Sequence, residues 1–205
     1  MFNLKNNTKI DNFNDFIIFT NQQLSDSINC KITNIKLSFT YTLLNVIIEF
    51  DEKICLVYTK RYTLIAKFGN FTYTFLGKNK KHLNITGIKS FLDIEKAITD
   101  LTIFSNLELC NFKCFSIDNI SSTFKTYSGL KQIIQNITDE EFKILIPQHF
   151  PGIVIKYNKC SLTYFNSGSV ILVGLKNARD LNLSVIKYKS FFDYCSTIEN
   201  TENVL

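Results

Sequence analysis

The 205-residue sequence has no tryptophan, one methionine, two prolines and seven glycines. So little glycine and proline excludes long structureless linkers, collagen-like repeats and a Gly-rich phosphate loop. Its two histidines, His82 and His149, stand near neither a plausible nucleophile nor a carboxylate pair, so acid–base and nucleophilic catalysis lack their residues. No run of five or more like charges occurs, and no stretch approaches the about twenty apolar residues of a membrane span. The beginning of the chain, MFNLKNNTKIDNF, lacks the apolar core of a secretory signal. The expectation is an intracellular, non-enzymatic protein with reduced thiols, no membrane partner and no small-molecule substrate.

Six cysteines are present: Cys30, Cys55, Cys110, Cys114, Cys160 and Cys195. Most sit inside strand-like apolar runs, where cysteine behaves as a small hydrophobe. Cys110-x-x-x-Cys114 has no matching second pair, so neither zinc nor any other cofactor is expected. What the chain has in plenty is Ile, Asn, Lys and Phe. This matches the codon bias of an A/T-rich genome, so motifs built only from those letters carry little weight. Hydrophobic residues make up 45%, enough for a core, with 19 Phe and 9 Tyr among them. The net charge of +5 is compatible with a polyanionic partner. The densest basic cluster, Lys78-Asn-Lys80-Lys81-His82, reads as a solvated turn.

Along the chain, residues 1–28 read as a loose arm with room for one helical turn. Lys31 to Thr42 alternates, Val46 to Phe50 and Ile54 to Thr59 are rich in strand formers, and Tyr62 to Phe68 and Phe71 to Leu76 flank a Gly69-Asn70 turn signal. From Ile85 to Phe104 the period becomes helical. The order then recurs. Phe115 to Phe124 alternates, and Leu130 to Ile137 gives a short amphipathic helix. Thr138-Asp-Glu-Glu141 resembles a capping box opening another helical turn. Ile153 to Tyr157, Ser161 to Phe165 and Val170 to Val173 are strands, and Asn177 to Cys195 is helical. The organisation is an internal duplication of strand, connector, three strands and helix. Its parts are an arm at 1–28, a first repeat at 29–108, a second at 109–198 and a tail at 199–205.

The second half carries a specific pattern: Phe150-Pro-Gly-Ile-Val-Ile-Lys156, then Leu162-Thr-Tyr-Phe165-Asn-Ser-Gly168-Ser-Val-Ile-Leu-Val-Gly174-Leu-Lys176, preceded by Ile117-Asp-Asn119-Ile. In order and spacing this resembles the carboxy-terminal repeat of the TATA-box-binding protein family: I-Q-N, then F-P-G, a basic residue, Phe, S-G and T-G-A-K. The match covers residues 112 to 195. The first half resembles it more weakly, through Ile32-Thr-Asn34-Ile, through Lys60, and through Phe68 and Gly77 at the separation of Phe165 and Gly174. The shorter connector after Asn34 implies that the first repeat has lost most of one helix.

The resemblance implies an α+β fold: a curved ten-stranded antiparallel sheet in a pseudo-twofold saddle, with helices on its convex face. It implies a partner, double-stranded DNA held by its A/T-rich minor groove, and further partners in other transcription initiation factors and RNA polymerase. Phe150 and Phe165, with Pro151, would form an apolar wedge that unstacks one base step. Phe68 and Ile54 would be the first-repeat wedge. Asn34 and Asn119 would offer amides to base edges near the pseudo-twofold axis. Lys36, Lys60, Lys156 and Lys176 would reach phosphates, although lysine cannot form the fork of an arginine. Thr74, Leu76, Ile171 and Val173 would line the groove-facing surface, whose mixed hydroxyl and apolar character suits a groove read mainly by shape. Such a protein would act in a nucleus, or in a cytoplasmic factory or virion if viral.

The departures define a second expectation. Leu76 and Val173 stand where the family has threonine, and Asn70-Phe71 replaces a Ser-Gly. Ile146-Pro-Gln-His149 replaces the acidic pair thought to engage transcription factor IIB. With Ile54, these favour a protein-interaction scaffold of the same fold that has lost strict TATA binding.

Overall fold

A computed structural model describes residues 10, 13–23, 30–41, 48–77, 82–108 and 112–202. The chain divides into two compact units, Met1–Asp26 with Thr33–Asn119, and Ser27–Ile32 with Ile120–Leu205. In order the elements are α1 (Phe13–Gln23), β1 (Lys31–Tyr41), β2 (Leu56–Lys60), β3 (Thr63–Phe68), β4 (Phe71–Leu76), β5 (His82–Ile88) and α2 (Asp93–Phe104). They continue with β6 (Phe112–Lys125), α3 (Lys131–Asn136), β7 (Lys143–Leu145), β8 (Ile153–Tyr157), β9 (Cys160–Tyr164), β10 (Ser169–Leu175) and α4 (Ala178–Glu202).

In the first unit the strands run β2-β3-β4-β5-β1-β6. The alternation of β4, Phe-Thr-Tyr-Thr-Phe-Leu, buries Phe71, Tyr73 and Phe75 and leaves Thr72, Thr74 and Leu76 half-buried on the other face. Leu37, Phe39, Leu64, Ala66, Leu83, Ile85 and Phe115 are buried with those rings. α2 meets them with Ile94, Ala97, Ile98, Leu101 and Phe104, a helical-spacing stripe that is wholly buried. Each such side chain contributes about 1.5–3 kcal/mol of burial. Tyr73 donates its hydroxyl to the Ala97 carbonyl at 2.8 Å, fastening the sheet to the helix. Ser90 fixes the start of α2 by accepting the Asp93 N–H at 3.3 Å and donating to the Asp93 carboxylate at 2.7 Å.

In the second unit the order is β6-β10-β9-β8-β7. Ile120, Ile153, Ile155, Leu162, Tyr164, Val170 and Leu172 are buried with Leu181, Val185, Tyr188 and Phe192 of α4. Tyr164 meets Phe192 at 5.3 Å between ring centroids, and the Tyr188 hydroxyl donates to the Ile155 carbonyl at 3.0 Å. Asn177 caps α4 reciprocally: its Oδ1 accepts the Asp180 N–H at 2.8 Å and its amide donates to the Asp180 carboxylate at 2.9 Å.

Both units show the same device where the outgoing strand meets the repeat's first strand. β5 pairs with β1 as Ile88 to Ile35 and Ile85 to Leu37, one residue more on β5 than on β1. β10 pairs with β6 as Leu175 to Ile120 and Leu172 to Ser122, with the same excess. Each bulge is turned by a glycine in the left-handed region, Gly87 (φ +92°) and Gly174 (φ +99°).

Several expectations are corrected. Each repeat has four strands after its connector, not three. Residues 82–88 form β5, and the helix begins only at Asp93; Ile85 and Ile88 fit a helical period, but their burial comes from strand pairing. Thr138 to Glu141 does not open a helix. Asp139 accepts the N–H groups of Glu141 and Phe142 at 2.7 and 3.1 Å, a local turn that leads into β7. The arm holds an 11-residue helix, α1, whose Phe16 stacks on Phe115 at 5.5 Å and meets Phe39 edge-on at 6.3 Å. Of Val46 to Phe50, residues 46 and 47 lie outside the described residues, and Phe50 makes an isolated bridge to Ser105. The basic cluster lies outside the described residues except for His82, and so do Cys110 and residues 42–47 of the first-repeat connector.

Candidate nucleic-acid interface

In each unit the sheet face opposite the helices is open. On the second unit, cross-strand partners share that face: Thr123 with Ile171, Ile171 with Thr163, Val173 with Ser161, Thr163 with Val154, and Ser161 with Lys156. Ile171 is 41% exposed. Two phenylalanines stand at one end of this surface. Phe150 is 45% exposed, and its ring meets Phe165 edge-on at 5.9 Å with an interplanar angle of 62°.

The local sequence explains why the rings meet there. Phe165 directly follows β9, and the turn is closed by Gly168 N–H to the Phe165 carbonyl at 2.8 Å and Phe165 N–H to the Ser169 carbonyl at 2.9 Å. Gly152 is needed for the approach of Phe150, because a Cβ there would lie 2.7 Å from both Phe150 Cε1 and Thr163 Cγ2. Lysines border the face: exposed Lys143 stands opposite exposed Lys156, and Lys125 Nζ donates to Ser169 Oγ at 2.6 Å. Directly opposed like charges repel, so this pair favours an anion.

The open face of the first unit is more polar. Thr72 faces Thr86, Thr74 faces Asn84, and Leu76 faces His82 across β4 and β5. Lys67 and Ile65 continue the face onto β3, with Lys67 Nζ 5.8 Å from the Tyr58 ring centre. Toward β1 and β6 a carboxylate organises the surface. Asp118 accepts from Lys36 Nζ at 3.0 Å and from the Ser38 and Ser116 hydroxyls, the latter at 3.2 Å. Ser38 Oγ also lies 2.7 Å from Asn84 Oδ1. Burial works to raise the Asp118 carboxyl, but the bonds from Ser38, Lys36 and Ser116 and the Lys36 charge outweigh it and hold the group below the ordinary carboxylate range. Asn34 Oδ1 accepts the N–H of the bulge glycine, Gly87, at 2.7 Å. Among the described residues no group of three or more His, Cys, Asp or Glu side chains is placed to hold a metal, and no helix is long and apolar enough to cross a membrane.

No protein-family model matches the chain. Curated relatives do. A TATA-box-binding protein of Methanococcus aeolicus is 29% identical over 113 residues, covering 53% of this chain and 61% of the relative. One of Picrophilus torridus is 27% identical over 124 residues, with 52% and 61% covered. One of Thermoplasma volcanium is 28% identical over 118 residues, again with 52% and 61% covered. The match thus spans about three-fifths of the length of these relatives. Among solved structures, the Methanococcus jannaschii TBP superposes with a TM-score of 0.56 at 20% identity, covering 80% of this chain and 98% of the other. By sequence and by fold the chain is similar to the TATA-box-binding protein family.

Its fold is the α+β fold of that family, and strand pairing now decides how the family pattern lies on the first repeat. Setting Gly87 on Gly174, the pairings of β4 with β5 and of β9 with β10 place Leu76 on Phe165, Thr74 on Thr163 and Tyr73 on Leu162. The next pairings place Leu64 on Ile153 and Lys67 on Lys156, so Arg61 and Tyr62 fall on Phe150 and Pro151. The family's T-G-A-K is therefore Thr86-Gly87-Ile88-Lys89, matching Val173-Gly174-Leu175-Lys176.

This overturns the equivalence of Phe68 and Gly77 with Phe165 and Gly174. Phe68 pairs directly with buried Phe71 and stacks on Phe104 of α2 at 5.2 Å, on the helix side. The turn at Gly69-Asn70 separates Phe68 from the alternation of β4 and sets it opposite Phe71. Ile54 is also misplaced: it lies in the turn before β2, and counting from Leu56, which falls on Lys143, it stands level with Glu141. The first repeat keeps its family threonine, Thr86, and Leu76 is not its substitute. Lys60 ends β2 opposite Thr63, still on the open side, but Lys67 is the match to Lys156.

The remaining candidates fall where alternation places them. Asn34 and Lys36 are half-buried on the open face of β1; Asn119 is half-buried on β6, one residue before Ile120 as Asn34 is before Ile35. Pro151 and Lys176 are exposed, and Val173 is half-buried. Spacing reasoning missed Lys67, Asn84, Thr86, Lys89, Asp118 and Lys125. The Gly-x-Lys shared by 87–89 and 174–176 was the available signal for the register.

Proposed function

We propose that the chain binds the minor groove of A/T-rich double-stranded DNA with its open sheet faces, bends it, and serves in transcription initiation by recruiting other initiation factors and RNA polymerase. The role is binding rather than catalysis. The observation that carries the reading is the Phe150–Phe165 pair, two large rings presented edge-on to each other, with Phe150 45% exposed, at the border of a lysine-flanked surface. Exposed paired rings that no helix covers are costly to leave in water. Inserted between bases, they regain stacking and hold the groove open. The names of the curated relatives support the same reading. The exposed Ile103 of α2 and Leu183 and Ile186 of α4 would serve protein partners.

One observation favours a second reading, a scaffold that no longer bends DNA. Where the second repeat has Phe165 and Phe150-Pro151, the first has Leu76 and Arg61-Tyr62, a poorer wedge. Energy transfer between the end labels of an A/T-rich duplex separates the two. The DNA reading expects bending by the wild type and none by Phe150→Ala/Phe165→Ala; absence of binding above random sequence at moderate salt would leave the scaffold.

A further inference from the structure

We infer that Asp118 reads a base: on the first unit's open face it accepts a hydrogen bond from the exocyclic amino group of a guanine in the minor groove. The inference rests on the DNA-binding reading above and names a specificity within it. The side chain is 34% exposed on the face that carries Thr72, Thr74, Asn84 and Thr86. A carboxylate has about four lone-pair sites. Ser38 and Lys36 occupy two on Oδ2 and Ser116 one on Oδ1, which leaves one acceptor on Oδ1.

The partner follows from groove chemistry. A·T and T·A pairs present only acceptors to the minor groove, adenine N3 and thymine O2, and guanine N2 is the donor that G·C adds. A carboxylate set against acceptors would face lone pair against lone pair, so a purely A/T floor at this point is repulsive. Against guanine it makes a charge-assisted bond. The neighbours support the pairing. Lys36 balances the charge against the phosphates. Ser38 places its hydroxyl within reach of both the Asp118 carboxylate and Asn84 Oδ1, which holds the Asp118 side chain on this face. The contact therefore directs the site away from an unbroken A/T tract.

The test uses the full chain and a randomised duplex pool. Sites selected by the wild type should contain a guanine whose replacement by inosine, which keeps the pairing with cytosine but lacks the amino group, weakens binding about tenfold. Inosine also empties the groove floor, so a face without this contact would bind the inosine duplex as well or better. In Asp118→Asn the inosine penalty should shrink to less than about twofold, a ratio that a merely structural role for Asp118 would not move. Because the inosine comparison needs only the wild type, poor folding of the variant does not remove the test. Selected sites lacking guanine, or indifference to inosine at every guanine, would overturn the inference and leave the DNA reading intact. Failure to enrich any duplex would overturn both.

Discussion

Leu76 and Phe165 occupy the same rung of two copies of one strand ladder. Leu76 stands opposite His82, five residues before Gly87, and Phe165 bonds to Ser169, five residues before Gly174. The repeats are thus alike in backbone and unequal in the side chain at their open end. Leu76→Phe should restore stacking surface to the weaker half. The expected outcome is a larger bend in the end-label experiment and binding tightened severalfold, on the order of 1 kcal/mol. An unchanged bend would mean that the first unit does not insert at this rung.

Gly77, after β4, and the bulge glycine Gly87 separate two penalties that usually come together. Gly77 has φ +88° and, among the described residues, nothing within 4 Å of where a Cβ would stand, whereas Gly87 has φ +92° and a Cβ there would stand 2.2 Å from the Asn70 carbonyl oxygen. Gly77→Ala should cost only the backbone strain, roughly 1–2 kcal/mol. Gly87→Ala should cost more than about 3 kcal/mol, because backbone must move as well. Urea midpoints at constant slope measure both; equal losses would contradict the register drawn for β3 to β5.

Lysines on the open faces should behave differently from those on the helix side. Lys67→Ala and Lys156→Ala should each lower the slope of log affinity against log salt by about one, through one fewer counterion released. Lys187, ion-paired with Glu141 and lying over the Tyr157 ring at 5.9 Å, should leave the slope unchanged when replaced by alanine. Titrations across a salt series decide.

Asp118 also sets an acid limit on the first unit. Its folded-state pKa is depressed below the unfolded value, so the unfolded chain takes up the proton first on acidification. Its contribution to stability is therefore fully present above the ordinary carboxylate range and is lost as pH falls below about 4. Asp118→Asn should be less stable than the wild type at neutral pH, and the difference should narrow on acidification. Denaturant unfolding along a pH series would show it; a difference that widened with acid would reverse the assigned sign.

The second repeat was legible because its motifs bound the strands they flank: Phe-Pro-Gly marked the start of β8 and Phe-Asn-Ser-Gly the end of β9 from local chemistry. The first repeat was not. Phe68 and Gly77 imitate Phe165 and Gly174 in spacing, yet one ring packs on α2 and the other does not. Short apolar strands of similar length are interchangeable to a periodicity argument, and β7, at three residues, is shorter than one period can reveal.

By itself the sequence determined the duplication, the alternation that separates buried aromatics from open threonines, and the phenylalanines that meet at the end of β9. These follow from side-chain chemistry repeated at fixed local spacing. Only the tertiary structure decided which strand of the first repeat answers to which strand of the second, that Phe68 faces the helix, and that Lys36, Ser38, Ser116 and Asp118 converge on one open face. Those depend on hydrogen-bond register between segments distant in the chain, and a one-residue shift of register exchanges the two faces of a strand.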